Sequence, residues 1–239
     1  MKSGETKASD VIAEIRRLGD ATMAERAQGF FKTGKGEYGE GDKFVGVRVP
    51  VLRALVKTHQ ILSQKEVMKL LRSQWHEVRL FALFLWVKQY GKGDDTLRKT
   101  IYTDYLDHTR FINNWDLVDC SAPAIVGAHL TNANRKVLYK LVESNLLWER
   151  RIAIVACFHF IRQDDYSDAL ALFEKVLADR EDLIHKASGW MLREIGKRNI
   201  DAAEQFLQQH YLQMPRTMLR YALEKFTPER RQAYMKGLV

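Results

Sequence analysis

Four segments of this sequence open in a comparable way: His76-Glu77-Val78-Arg79-Leu80, Asn113-Asn114-Trp115-Asp116-Leu117, Glu149-Arg150-Arg151-Ile152-Ala153 and His185-Lys186-Ala187-Ser188-Gly189. Their first residues, 76, 113, 149 and 185, are spaced by 37, 36 and 36. Each opens a stretch with helical periodicity. Between each pair lies one further helical stretch of about a dozen residues. A two-helix unit cannot bury its apolar face alone, so such units must stack on one another.

This period is slightly short for a HEAT- or armadillo-like solenoid but otherwise matches one. Helical patterns cover about 9–18, 21–32, 50–58, 63–73, 76–91, 94–110, 114–130, 134–146, 149–163, 166–179, 182–198, 201–212, 215–226 and 228–238. No segment alternates with period two over strand length. Only 4 prolines and 14 glycines punctuate the chain, which disfavours a turn-rich sandwich. The expected fold is therefore all-α: a HEAT/armadillo-like α-solenoid of antiparallel helix pairs, curved, with a basic concave face. Residues 1–8 read as a disordered N-terminus and 9–239 as a single repeat domain. Equivalent helix starts should line up on one side, which would carry Arg79, Trp115, Asp119, Arg150, Arg151, Lys186 and Trp190. In solenoids such a side is usually the binding surface.

The net charge of +8 permits a polyanionic partner without identifying one. Cys120 and Cys157 sit in apolar stretches and read as buried free thiols of a reducing compartment. Without a CxxC or a Cys/His cluster, no metal site is expected. The polar start Met1-Lys2-Ser3-Gly4 resembles no signal peptide. The longest apolar run, Leu80 to Val87, is too short to span a membrane. A cytoplasmic protein is expected, in bacterial cytosol or nucleoid, with no membrane association.

Gly34, Gly36 and Gly39 form a literal GxGxxG. A helical stretch precedes it rather than a strand, so it does not fit dinucleotide binding and reads as a mobile loop. Over Leu183 to Arg198, Ile184, Ala187, Ser188, Met191, Leu192 and Ile195 share one face, and Lys186, Trp190, Arg193 and Lys197 the other. That second face is either a solvated basic surface with a half-buried ring or a surface for phosphate and sugar. Arg151 falls near a helix N-terminus, where a cation is unfavourable with the dipole. Glu149, another acid or a phosphate could offset it. Trp115 and Asp119, four residues apart, share a face away from Leu117, Ser121, Ala124 and Ala128. Asp119 either pairs with a nearby arginine or faces a positive charge that develops in a reaction.

These stretches resemble the AlkD-type DNA alkylation repair proteins over nearly the whole chain. The resemblance is carried by Gly36-Glu37-Tyr38-Gly39-Glu40-Gly41-Asp42, Val47-Arg48-Val49-Pro50, Asn114-Trp115-Asp116-Leu117-Val118-Asp119, Leu147-Trp148-Glu149-Arg150-Arg151-Ile152-Ala153 and His185-Lys186-Ala187-Ser188-Gly189-Trp190-Met191-Leu192-Arg193-Glu194. It implies a HEAT-like DNA glycosylase that removes cationic N3- and N7-alkylpurines from duplex DNA, leaving the lesion in the stack. By motif, Trp115, Asp119, Arg151 and Trp190 take the family's active-site positions. Arg150, Lys186, Arg193, Lys197 and Arg48 are the expected DNA-binding residues. The pattern departs at Phe30-Phe31, where the family can offer a tyrosine to DNA. The expected partner is double-stranded DNA with alkylated bases, and the protein is expected to be a monomer that needs no cofactor. A non-catalytic HEAT-repeat DNA-binding protein and a protein-interaction scaffold are the rival readings.

Overall fold

A computed structural model describes residues 6–239, and these are all-helical. The one pairing of extended backbone among the described residues is an isolated bridge between Lys43 and Trp75. The chain divides into two compact units, Met1–Ser121 and Ala122–Val239. Part of the segment expected to be disordered, residues 1–5, lies outside the described residues. Its end does not behave as expected: Ala8 opens the first helix and is buried.

The first unit contains α1 (Ala8–Arg17), α2 (Ala21–Phe30), α3 (Val49–Thr58), α4 (Gln64–Leu71), α5 (His76–Lys92), α6 (Asp95–Asp107) and α7 (Trp115–Asp119). Helix α5 is its centre. Phe81, Leu83, Leu85 and Trp86 are fully buried, and α1, α3, α4, α6 and α7 all pack on it. The buried Trp86 indole is not left unpaired, since Nε1 donates to Gln64 Oε1 at 3.0 Å.

Between α2 and α3 the chain runs without regular structure, and α5 holds it from below. The Glu77 carboxylate accepts the backbone N–H groups of Val45, Gly46 and Val47 at 2.9, 2.7 and 3.3 Å. Gly46 has φ +86°, and a Cβ there would lie 2.0 Å from the Asp20 carbonyl oxygen. Gly46→Ala therefore meets both an unfavourable dihedral and fixed backbone. A loss of roughly 2–3 kcal/mol is expected, readable as a lowered midpoint in denaturant.

The second unit contains a π-helical turn (Pro123–Gly127), α8 (Lys136–Val142), α9 (Leu147–Ala156), α10 (Phe158–Ile161), α11 (Ser167–Lys175), α12 (Asp182–Arg198), α13 (Ile200–His210), α14 (Arg216–Ala222) and α15 (Pro228–Lys236). Helix α12 is its centre, packed by α9, α10, α11, α13 and α14. At Gly189 α12 meets α14 so closely that a Cβ would lie 2.4 Å from the Met218 carbonyl oxygen.

Two expectations change. The four equivalent helices begin at 76, 115, 147 and 182, so their spacing is 39, 32 and 35 rather than a near-constant 36. The single helix expected over 114–130 is also interrupted. Pro123 has no N–H to offer the carbonyl of Asp119 four residues back, so a continuous helix cannot form there. The π turn that follows shifts the register. Leu117 and Ser121 are buried as expected, but beyond Pro123 it is Ile125, Val126 and Gly127 that are buried, with Ala124 and Ala128 only half-buried.

Candidate active site

Helix α7 consists of five residues and carries Trp115 at its start and Asp119 at its end. Asn114 caps it, its Oδ1 accepting the Trp115 N–H at 2.9 Å. Leu117 and Val118 are buried, whereas Trp115 and Asp119 are half-buried on the other side, as the four-residue spacing requires. The Trp115 ring stacks on Phe31 with centroids 5.3 Å apart and meets Phe30 edge-on at 5.8 Å. Phe30 is 65% exposed. Phe30 and Phe31 thus extend an apolar wall beside Trp115.

Behind this wall lies a buried ionic cluster. His76 Nδ1 is 3.1 Å from Asp42 Oδ2, and His76 Nε2 is 2.8 Å from Asp116 Oδ2. Arg79 donates to Asp42 Oδ1 at 2.7 Å, and Asn113 donates to the same oxygen at 3.0 Å. Burial alone would raise the Asp42 carboxyl. The hydrogen bond from His76, the Arg79 guanidinium and the Asn113 amide outweigh it and hold Asp42 below the usual carboxylate range. Arg79, expected on the binding side, is instead 4% exposed and serves this cluster. Asp42 ends the glycine-rich loop, which is cross-linked by Gly34 N–H to Glu37 and Gly36 N–H to Glu40, both at 2.8 Å. Burial, with the Asp116 and Asp119 carboxylates beside it, pushes the Cys120 thiol far up, so it is no thiolate nucleophile. Cys120 and Cys157 are both free, and Cys157 is the fully buried one. Arg48 precedes α3 and is exposed.

In the second unit, Arg151 lies one turn inside α9 because that helix begins at Leu147. The expected conflict with the helix dipole is accordingly smaller, as the dipole acts mainly within the first turn. Arg151 is 5% exposed and donates to the Leu183 carbonyl at 2.5 Å, bracing α9 against the start of α12. Arg150 makes a two-pronged contact with Asp179, at 2.7 and 3.3 Å, and donates to the Ser144 carbonyl.

Trp190, Arg193 and Lys197 share a face of α12 with an acid, Glu194, that sequence reasoning passed over. Glu194 Oε1 accepts from Trp190 Nε1 at 3.1 Å and from Lys197 Nζ at 2.7 Å, and lies 3.4 Å from Arg193. Arg193 also pairs with Glu224, and Lys186 with Asp182 at 2.8 Å. Phe158 approaches Trp190 with ring centroids 5.7 Å apart, and the exposed Arg162 guanidinium lies 4.1 Å over the Phe158 ring. This adds an aromatic ring and a cation to the Trp190 surface.

The arrangement of helices defines a class first: helical proteins of the AlkD type. Three solved structures are similar. A predicted DNA alkylation repair enzyme from Enterococcus faecalis is 15% identical with a TM-score of 0.67, over 88% of this chain and 98% of its own. AlkD2 from Streptococcus mutans is 18% identical with a TM-score of 0.53, over 93% and 100%. The protein smu.31 from Streptococcus mutans UA159 is 16% identical with a TM-score of 0.54, over 89% and 98%. No curated protein matches the chain. The family described as DNA alkylation repair enzyme matches residues 11–226, and the chain belongs to that family. Among the described residues no helix is long and apolar enough to cross a membrane.

Proposed function

We propose that the protein is a monofunctional DNA glycosylase that hydrolyses the N-glycosidic bond of cationic N3- and N7-alkylated purines in duplex DNA. The observation that carries this reading is α7 itself, with a half-buried Trp115 and Asp119 one turn apart and an aromatic wall beside them. Alkylation makes the purine cationic and a good leaving group, so little general-acid help is needed. The sugar develops oxocarbenium character as the bond breaks. Asp119 stabilises that charge and orients the attacking water. Trp115 packs on the deoxyribose. Trp190 contacts the backbone, and Arg193, Lys197 and Lys186 hold phosphates. Arg151 is buried, and we assign it a positioning role through α12. The lesion stays in the base stack during the reaction, as in the proteins this chain resembles, so bulky adducts are tolerated. The protein acts as a monomer in the cytosol or nucleoid and needs no cofactor.

The test is release of alkylated purines from methylated duplex DNA, run over several adducts. Binding of plain duplex without release of any base would assign the non-catalytic binder instead. The pairing of Lys186, Arg193 and Lys197 with acids favours a second reading, a protein-interaction scaffold. Absence of duplex binding in fluorescence anisotropy would support it.

The pairing also makes a prediction. Lys197 is exposed, whereas Glu194 and Arg193 are half-buried, so Glu194 holds a negative charge against cations that a phosphate would approach. Glu194→Gln is expected to tighten binding to duplex of any sequence. Lys197→Ala is expected to weaken it and to flatten the dependence of log affinity on log salt by about one unit. Anisotropy titrations at several salt concentrations read both. A loss confined to particular sequences would contradict the phosphate role.

A further inference from the structure

None of the seven histidines belongs to a recognisable sequence motif, yet one of them has both ring nitrogens on carboxylates. His76 opens α5, is 1% exposed, and lies against the rings of Phe44 and Phe31 with centroids 4.5 and 4.9 Å away. Phe31 is in turn the ring on which Trp115 stacks. We infer that His76 is a positioning residue: as an imidazolium held between Asp42 and Asp116, it fixes the helix that carries Trp115 and Asp119. Its effect on base release rests on the glycosylase reading above, whereas the clamp itself does not.

The charge state follows from the donors. A neutral imidazole has one N–H and one lone pair, so one carboxylate would face a lone pair at about 3 Å. Only the doubly protonated ring satisfies both. The charged groups facing His76 are Asp42 from the glycine-rich loop, Asp116 from α7 and Arg79 from α5 itself. Two acids and two bases balance only when the imidazole is protonated, and an unbalanced buried charge is costly. Burial would push His76 down, but the hydrogen bonds to Asp116 and Asp42 outweigh it and raise it above the ordinary histidine value. The stability it contributes is therefore fully present below that ordinary value. It is lost as pH rises through the raised one.

The link to the site is Asp116. Its Oδ1 is buried without a hydrogen-bond partner, and its Oδ2 is on His76. When His76 loses its proton toward alkaline pH, one of the two carboxylates meets a lone pair. If the remaining proton stays on the Asp42 side, Asp116 loses this contact. The first turn of α7 is then released, and Trp115 with it. A shift of about an ångström in a reacting group is enough to cost up to about 100-fold in rate.

The test has two arms on the full chain. In the first, ring nitrogens of isotope-labelled histidine are followed by NMR from neutral to alkaline pH, with His76 assigned by its absence in His76→Gln. Both ring nitrogens protonated at neutral pH are expected, and Asp116→Asn should move the titration to lower pH. A neutral tautomer at neutral pH, or no response to Asp116→Asn, overturns the clamp. In the second, single-turnover base release is measured against pH. Wild type should lose rate on the alkaline side at the pH where His76 titrates, and His76→Gln should be slower and lack that step. An unchanged alkaline limb in His76→Gln overturns the positioning role. Should His76→Gln not fold, Asp116→Asn carries the second arm, with its alkaline limb shifted to lower pH. An unshifted limb overturns the role equally. If wild type releases no base, the glycosylase reading fails. The positioning role is then decided by acrylamide quenching of Trp115, with Trp115→Phe as the blank: quenching that rises as His76 deprotonates supports it, and constant quenching overturns it.

Discussion

Arg79→Ala is expected to lower folding stability by about 3–5 kcal/mol, the cost of breaking a buried ion pair from one side. The guanidinium donates to Asp42 Oδ1 at 2.7 Å and to the Ser73 carbonyl at 3.0 Å, and both side chains of the pair are 5% exposed. Removing it leaves the Asp42 carboxylate buried with only His76 and Asn113 to hold it. The loss should be smaller in acid, since protonation of Asp42 removes the uncompensated charge. Urea denaturation at neutral and at acidic pH measures both effects. A loss under about 1 kcal/mol at neutral pH would mean that the cluster is more hydrated than its geometry indicates. Solvent penetration would weaken every charge in it.

Arg79 also marks where sequence reasoning stops. The helical class, most helix positions and the shared face of Trp115 and Asp119 are legible, because they depend on spacing within one segment. The Asp42–His76–Asp116 cluster is not. Its members are 34 and 40 residues apart, and only the packing of the glycine-rich loop and α7 on α5 brings them together. A charged residue at a helix start reads as surface, yet Arg79 is a buried counter-ion. Glu194 is a different case. The helical arithmetic that groups Trp190, Arg193 and Lys197 places this acid among them, four residues from Trp190 and three from Lys197. Pro123 is likewise visible in the sequence, and its missing N–H and its ring disrupt regular helix at the carbonyl of Asp119, where α7 ends.

The second large effect concerns Asp119. It is the last residue of α7, and the helix ends there. An acid at a helix C-terminus gains nothing from the backbone dipole. It is half-buried one turn from Trp115, and stabilisation of a developing sugar cation is the role we propose for it. A carboxamide has nearly the same shape but no charge. Asp119→Asn should thus preserve the fold and the binding of undamaged duplex while removing the electrostatic term in the transition state. Losing one well-placed electrostatic group of this kind costs about 100- to 1,000-fold in rate. The loss should appear in the chemical step, with substrate affinity little changed, as expected for an interaction made only in the transition state. Single-turnover release of 7-methylguanine from methylated duplex DNA, wild type beside Asp119→Asn, tests the account most directly. It predicts release by the wild type and a loss of that size in the variant; equal rates for the two proteins would contradict it.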